Sequence, residues 1–178
     1  MDVGFARDLY FREFEAKAQQ DARISVHVAL LSAVGGVLAF LIRSAWPGQT
    51  PWCRASLVFS FVSVVPYFLA IVWALRGTVG FTYEKLPSPD NLLAYSKGLA
   101  RYYRENPGIS GSASADFEDF LVRHFSSAAT RNGRNNLARS ARFYRAGQFL
   151  LWVVVLSAIA GLCLALNQVL PVLVSRGA

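Results

Sequence analysis

The chain has 178 residues, 54% of them apolar, 13% aromatic and only 16% charged, with a formal net charge of +7. Ordinary soluble domains carry about a quarter charged residues. This composition therefore argues against a soluble enzyme and for a chain built around a membrane. Two cysteines and two histidines are too few for a disulfide framework or a metal centre.

Three runs contain no Asp, Glu, Lys or Arg: 24–42, 55–75 and 146–175, of 19, 21 and 30 residues. A helix needs about 20 mostly apolar residues to cross roughly 30 Å of hydrocarbon, and a backbone in lipid must satisfy its own hydrogen bonds. The expected fold is all-α: an integral membrane protein with three transmembrane helices, an N-terminal juxtamembrane helix and a helical cytoplasmic insert. The expected divisions are 1–23 (juxtamembrane), 24–76 (a transmembrane hairpin with spans 24–42 and 55–75), 77–147 (insert), 148–174 (third span) and 175–178 (external tail).

Residues 3–23 predict a helix running into span one, with Asp8–Arg12 and Glu13–Lys17 as i,i+4 ion pairs. Phe5, Leu9, Tyr10, Phe11 and Phe14 cover one broad side, suited either to lipid or to a neighbouring helix. Five acids stand beside four basic residues in this segment, so it is read as cytoplasmic and not as a cleavable signal. Span one carries small residues four apart, among them Ser32 and Gly36, a spacing that allows close helix packing.

Trp46-Pro47-Gly48 and Pro51 make a tight link into span two. There Ser56, Ser60, Ser63 and Tyr67 draw one polar stripe along an apolar helix. Such a stripe lines a wet pore or hydrogen-bonds to another helix; both readings stay open at this point. Pro66 frees a carbonyl and predicts a kink.

Ser88-Pro89-Asp90 is a helix start, and Asn106-Pro107-Gly108 a stop. Residues 107–115 read as a loop. A second helix is expected from about Asp116, interrupted by the polar run 131–136, where Gly133 either breaks the helix or only weakens it by about 1 kcal/mol. From Asn135 one helix is expected to enter span three, which carries Ser157, Gly161 and Ala165 as a further small-residue run.

Arg131, Arg134, Arg139, Arg142 and Arg145 share one helical face, and no acid follows Asp119. Basic residues number four in 1–23, two in 43–54 and eleven in 76–145, with Arg176 alone beyond span three. The positive-inside rule therefore predicts a cytoplasmic N-terminus and insert, and an external C-terminus. The arginine face has three readings: contact with anionic headgroups, contact with an acidic protein, or bidentate recognition of a nucleotide or oligonucleotide phosphate. For the last, the candidate residues are Arg131, Arg134, Asn135, Arg139 and Arg142. There is no Walker loop, dinucleotide-binding glycine pattern, metal-ligand spacing or Ser–His–Asp set. Neither enzymatic activity nor any cofactor or metal is expected.

The layout of Ala6–Arg23, the hairpin 24–75 and the segment Asn132–Phe149 resembles the small membrane effectors of bacterial anti-phage defence, especially the SLATT-like group. A third span departs from the two-span pattern of that group and looks closer to the channel-type effector of Hailong-like systems. The resemblance implies a homo-oligomeric pore in the bacterial inner membrane, gated by a nucleotide product of a partner nucleotidyltransferase. The alternative is a non-conducting adaptor that holds a cytosolic partner through residues 77–145.

Overall fold

The computed structural model describes residues 2–46 and 48–176, and side chains as far as Pro171. Pro47 and the end of the expected external tail therefore lie outside the described residues. Among the described residues there are four helices and no strand: α1 (Val3–Ala45), α2 (Pro51–Thr78), α3 (Pro89–Glu105) and α4 (Ala113–Arg176). Three of them, α1, α2 and α4, are long and apolar enough to cross a membrane; their best windows reach mean hydropathies of 2.2, 2.2 and 2.7.

Local chemistry sets the helix ends. Thr50 caps α2 by accepting from the Cys53 amide at 3.2 Å, with Pro51 in the first turn. Ser88 caps α3 in the same way, through the Asn91 amide at 3.3 Å. Ser112 accepts from the Ala115 amide at 3.2 Å, so α4 begins at Ala113, earlier than the expected Asp116, and the connecting loop is shorter than 107–115. Pro66 is accommodated within α2.

The expected interruption around Gly133 does not occur, and α4 runs through it. Asn residues weaken helices when their side chains compete for the local backbone. Here the amides of Asn132, Asn135 and Asn136 bond to distant residues instead. A Cβ at position 133 would lie 3.3 Å from Glu13 Cδ, so the glycine permits a close approach.

The chain divides into two compact units, Met1–Asp21 with Phe81–Ala138, and Ala22–Gly80 with Arg139–Ala178. In the first, Ala6 and Tyr10 are buried with Phe125, Ala128 and Ala129, and Leu9, Phe14, Leu86 and Leu121 pack around them. The Tyr10 ring lies 4.9 Å from Phe14 and 5.7 Å from Phe125, and its hydroxyl accepts from the Leu86 amide at 3.4 Å. The apolar side of the N-terminal segment thus packs on α4. α3 touches α4 through Tyr95 on Phe120, with ring centroids 4.5 Å apart. The ion pairs differ from those expected: Lys17 pairs with Asp21 at 2.8 Å, Asp8 with Arg7 at 3.4 Å, and Glu13 accepts from Asn136.

In the second unit the usual distribution of size is inverted along α2, while Leu38, Leu41, Phe143, Leu150 and Val153 are buried on α1 and α4. The buried residues of α2 are Cys53, Ser56, Ser60, Ser63, Ala70, Ala74 and Gly77, all small. Its Phe61, Val65 and Phe68 are more than half exposed, as are Phe40 on α1 and Leu151, Trp152 and Leu162 on α4. Small residues inward and bulky apolar residues outward is the pattern of helices that pack in lipid, where the surrounding solvent is itself apolar. It is unfavourable in water, which makes it a second argument for membrane placement besides length.

Candidate functional site

The serine stripe of α2 lies inside the second unit. Ser56, Ser60 and Ser63 are each 0% exposed. Ser63 donates to the carbonyl of Phe59 at 2.7 Å, whereas the Ser56 and Ser60 hydroxyls have no partner among the described residues. In the single chain the stripe is therefore a packing face, and of its hydroxyls only that of Tyr67 bonds another helix. Tyr67 donates to the Leu31 carbonyl on α1 at 3.2 Å. Its approach depends on Gly35, where a Cβ would stand 2.5 Å from the phenol oxygen.

The small residues expected to mediate packing separate into two groups. Ser32, Gly36 and Ala165 are exposed, and nothing lies within 4 Å of a Cβ built on Gly36. The chain itself uses Gly35 for its α1–α2 approach. Ser157 is 92% buried with an unpartnered hydroxyl, and Gly161 faces Leu41, with 3.9 Å from its notional Cβ to Leu41 Cδ2. These two line an apolar hollow of about 340 Å³ between α1 and α4, with Val37, Phe40 and Ala158.

The polar face of α4 is built differently from the ligand face that sequence suggests. In the first unit, Asn132 accepts from the Glu84 amide (2.9 Å) and donates to the Glu84 carbonyl (3.1 Å). Asn135 donates to the Thr82 carbonyl at 2.8 Å. Asn136 accepts from the Tyr83 hydroxyl at 2.7 Å and donates to the Glu13 carbonyl at 2.8 Å. Each amide offers a donor and an acceptor, as a peptide group does, so Asn132 and Asn135 stand in for a strand edge to the backbone at 82–84, while Asn136 ties the Tyr83 hydroxyl to Glu13.

Arg139 and Arg142 belong to the second unit. Arg139 is 3% exposed and donates from Nε to the Gly77 carbonyl at 3.1 Å; Arg142 donates to the Arg76 carbonyl. These carbonyls end α2 and lack a full set of intrahelical partners, and the negative end of a helix favours a cation. Both arginines are capping groups for α2.

Of the five residues expected to read an anion, Asn135, Arg139 and Arg142 are thus engaged with backbone carbonyls. Arg131 and Arg134 remain exposed. They line a shallow hollow of about 350 Å³ with Ser126, Ser127 and Thr130. Arg131 also contacts Glu84 at 3.4 Å, with its own side chain 69% exposed, so this pair is screened and weak. The segment docked on the asparagines escapes sequence reasoning, although three amides at i, i+3 and i+4 on one helical face are a signal for it. Trp73 is also missed: Arg145 lies over its ring at 4.6 Å and Arg76 at 5.6 Å.

Among the described residues no cluster of His, Cys, Asp or Glu could hold a metal ion. Comparison with family models, curated proteins and solved structures finds no match.

Proposed function

We propose that the chain is the subunit of a homo-oligomeric membrane channel, seated in the bacterial inner membrane with its N-terminus cytoplasmic and its C-terminus external. The conformation described is its closed state. The reading is carried by the three hydroxyls of Ser56, Ser60 and Ser157, buried without partners within a three-helix apolar unit. Each buried hydroxyl left unpaired costs about 1–3 kcal/mol, so a rearrangement that parts α2 from its neighbours and admits water gains partners for Ser56 and Ser60, and one that parts α1 from α4 does so for Ser157. A unit of three spans is too small to enclose a conduit, so symmetry supplies the walls. Opening is controlled through residues 77–145 by a nucleotide or oligonucleotide that Arg131 and Arg134 receive. The consequence is depolarisation of the cell, in keeping with the resemblance to anti-phage effectors.

Planar-bilayer recording of the purified full chain, with a panel of nucleotides and short oligonucleotides, tests this reading. Unitary conductance that depends on one of these ligands is expected. No conductance under any condition overturns it.

A second reading is a membrane-anchored adaptor without conductance. It is favoured by Leu93 and Tyr102 of α3, which stand 55% and 49% exposed beyond the helix's contact face. A stoichiometric cytosolic partner in a pull-down, with no self-oligomer on native gels, decides for it.

A further inference from the structure

The charges divide along the same line as the fold. All eleven acidic residues lie in the first unit, beside ten of the eighteen basic ones. The second unit holds the other eight, every one an arginine, and not a single Asp or Glu. No side-chain carboxylate of its own is available to these arginines, so any anion they hold comes from outside the unit.

Four of them meet where α2 ends and the uncharged run of α4 begins. Arg139 and Arg142 cap α2 and are thereby fixed. Arg76 and Arg145 are exposed and have no acceptor among the described residues; each guanidinium lies over the same indole, that of Trp73. Cation–π contact orients a guanidinium without neutralising it. Two like charges gathered on one ring repel, and the repulsion is relieved by an anion shared between them. A stacked guanidinium keeps its edge N–H groups free for a bidentate fork, the geometry that suits a phosphate. The Arg142 bond to the Arg76 carbonyl holds the last turn of α2 against α4, beside the Trp73 ring that both guanidiniums approach.

The position narrows the source of the anion. Trp73 is within the last turn of the uncharged run 55–75, and Arg145 directly precedes the run 146–175. Both therefore sit at the edge of the apolar surface, at the depth of lipid headgroups, where indoles concentrate and anionic lipids attract arginine.

We infer that Trp73, Arg76 and Arg145 form a phosphate site, filled in the membrane by the headgroup of an anionic phospholipid. The inference rests on membrane placement of α2 and α4 and is independent of conduction; a silent bilayer recording leaves it untouched.

Native mass spectrometry of the full chain released from micelles tests it. The micelles contain equal amounts of phosphatidylglycerol and phosphatidylcholine. Wild type is expected to retain phosphatidylglycerol with about tenfold preference, and Arg76→Gln/Arg145→Gln to lose that preference. Arg145→Lys, which keeps the charge and loses the fork, is expected to fall between them. Arg54→Gln, at the opposite end of α2, is expected to behave as wild type. If the double variant does not elute as a folded species, Arg145→Lys and Trp73→Leu carry the comparison. Glycerol phosphate added in excess separates the sources: failure to displace the lipid supports a headgroup site, and displacement assigns the same site to soluble phosphate esters. Equal retention of the two lipids by wild type, or undiminished preference in the variants, overturns the inference.

Discussion

Tyr67 reaches the backbone of α1 through the space that Gly35 leaves open: its hydroxyl donates to the Leu31 carbonyl at 3.2 Å, and a Cβ at position 35 would stand 2.5 Å from it. Gly35→Ala is therefore expected to break this bond and push α2 from α1, at about 1–3 kcal/mol. Gly36→Ala meets nothing within 4 Å and is expected to be neutral or slightly stabilising, since alanine favours helix by up to about 1 kcal/mol. Thermal unfolding in detergent, followed by size-exclusion fluorescence, distinguishes them. Equal stability of the two variants removes the importance given to Tyr67.

Asn132→Ala is expected to free the segment 81–88. It deletes two bonds to Glu84 and leaves two backbone groups without partners, a loss of roughly 2–4 kcal/mol. Asn135→Ala deletes one exposed bond and is expected to cost about 1 kcal/mol or less. Hydrogen exchange of the amides at 82–86 reads both directly, with the larger loss of protection in Asn132→Ala.

Replacing an unpartnered buried hydroxyl removes a cost without removing a bond. Ser60→Ala is expected to raise thermal stability by about 1 kcal/mol. If the chain conducts, the same substitution favours the closed state and lowers open probability. A destabilised Ser60→Ala points to a partner for that hydroxyl and weakens the channel reading with it.

The phenol of Tyr103 donates to Asp116 at 2.7 Å. That bond, with some burial and the charge of Asp116, raises its pKa above the ordinary 10.0. The neutral phenol is the donor, so the contact is fully present below pH 10 and is lost as pH rises through the folded-state value. Asp116→Asn is expected to shift the tyrosinate titration back towards 10.0. Difference absorbance near the tyrosinate band checks it against wild type; identical curves show that the bond does not persist in solution.

The sequence shows much of this architecture, and its limits have a physical cause. The start of α3 at Pro89 and its end at Glu105 follow from Ser88-Pro89-Asp90 and Asn106-Pro107-Gly108, because caps and stops are local chemistry. The three apolar helices follow from runs without charge. Gly133 misleads because its effect depends on what the neighbouring asparagines bond, and Asn136 finds its partner at Glu13, far away in sequence. Arg139 and Arg142 show the same limit. A helical wheel displays them as one basic face, but cannot show that the end of α2 already supplies their acceptors. Periodicity reports which residues share a side, not what that side meets.

The division of charge has a bearing on acid. Lowering the pH protonates carboxylates, and every acidic side chain belongs to the unit formed by 1–21 and 81–138. That unit then loses the eleven carboxylates that offset its ten Lys and Arg charges, while the arginines of the other gain no new repulsion from lost carboxylates. Acid thus removes charge compensation from one unit alone. The pairs Lys17–Asp21 and Arg123–Asp119 and the Asn136–Glu13 contact all lie in that unit, whereas the unit that carries the small-residue packing face has no side-chain carboxylate.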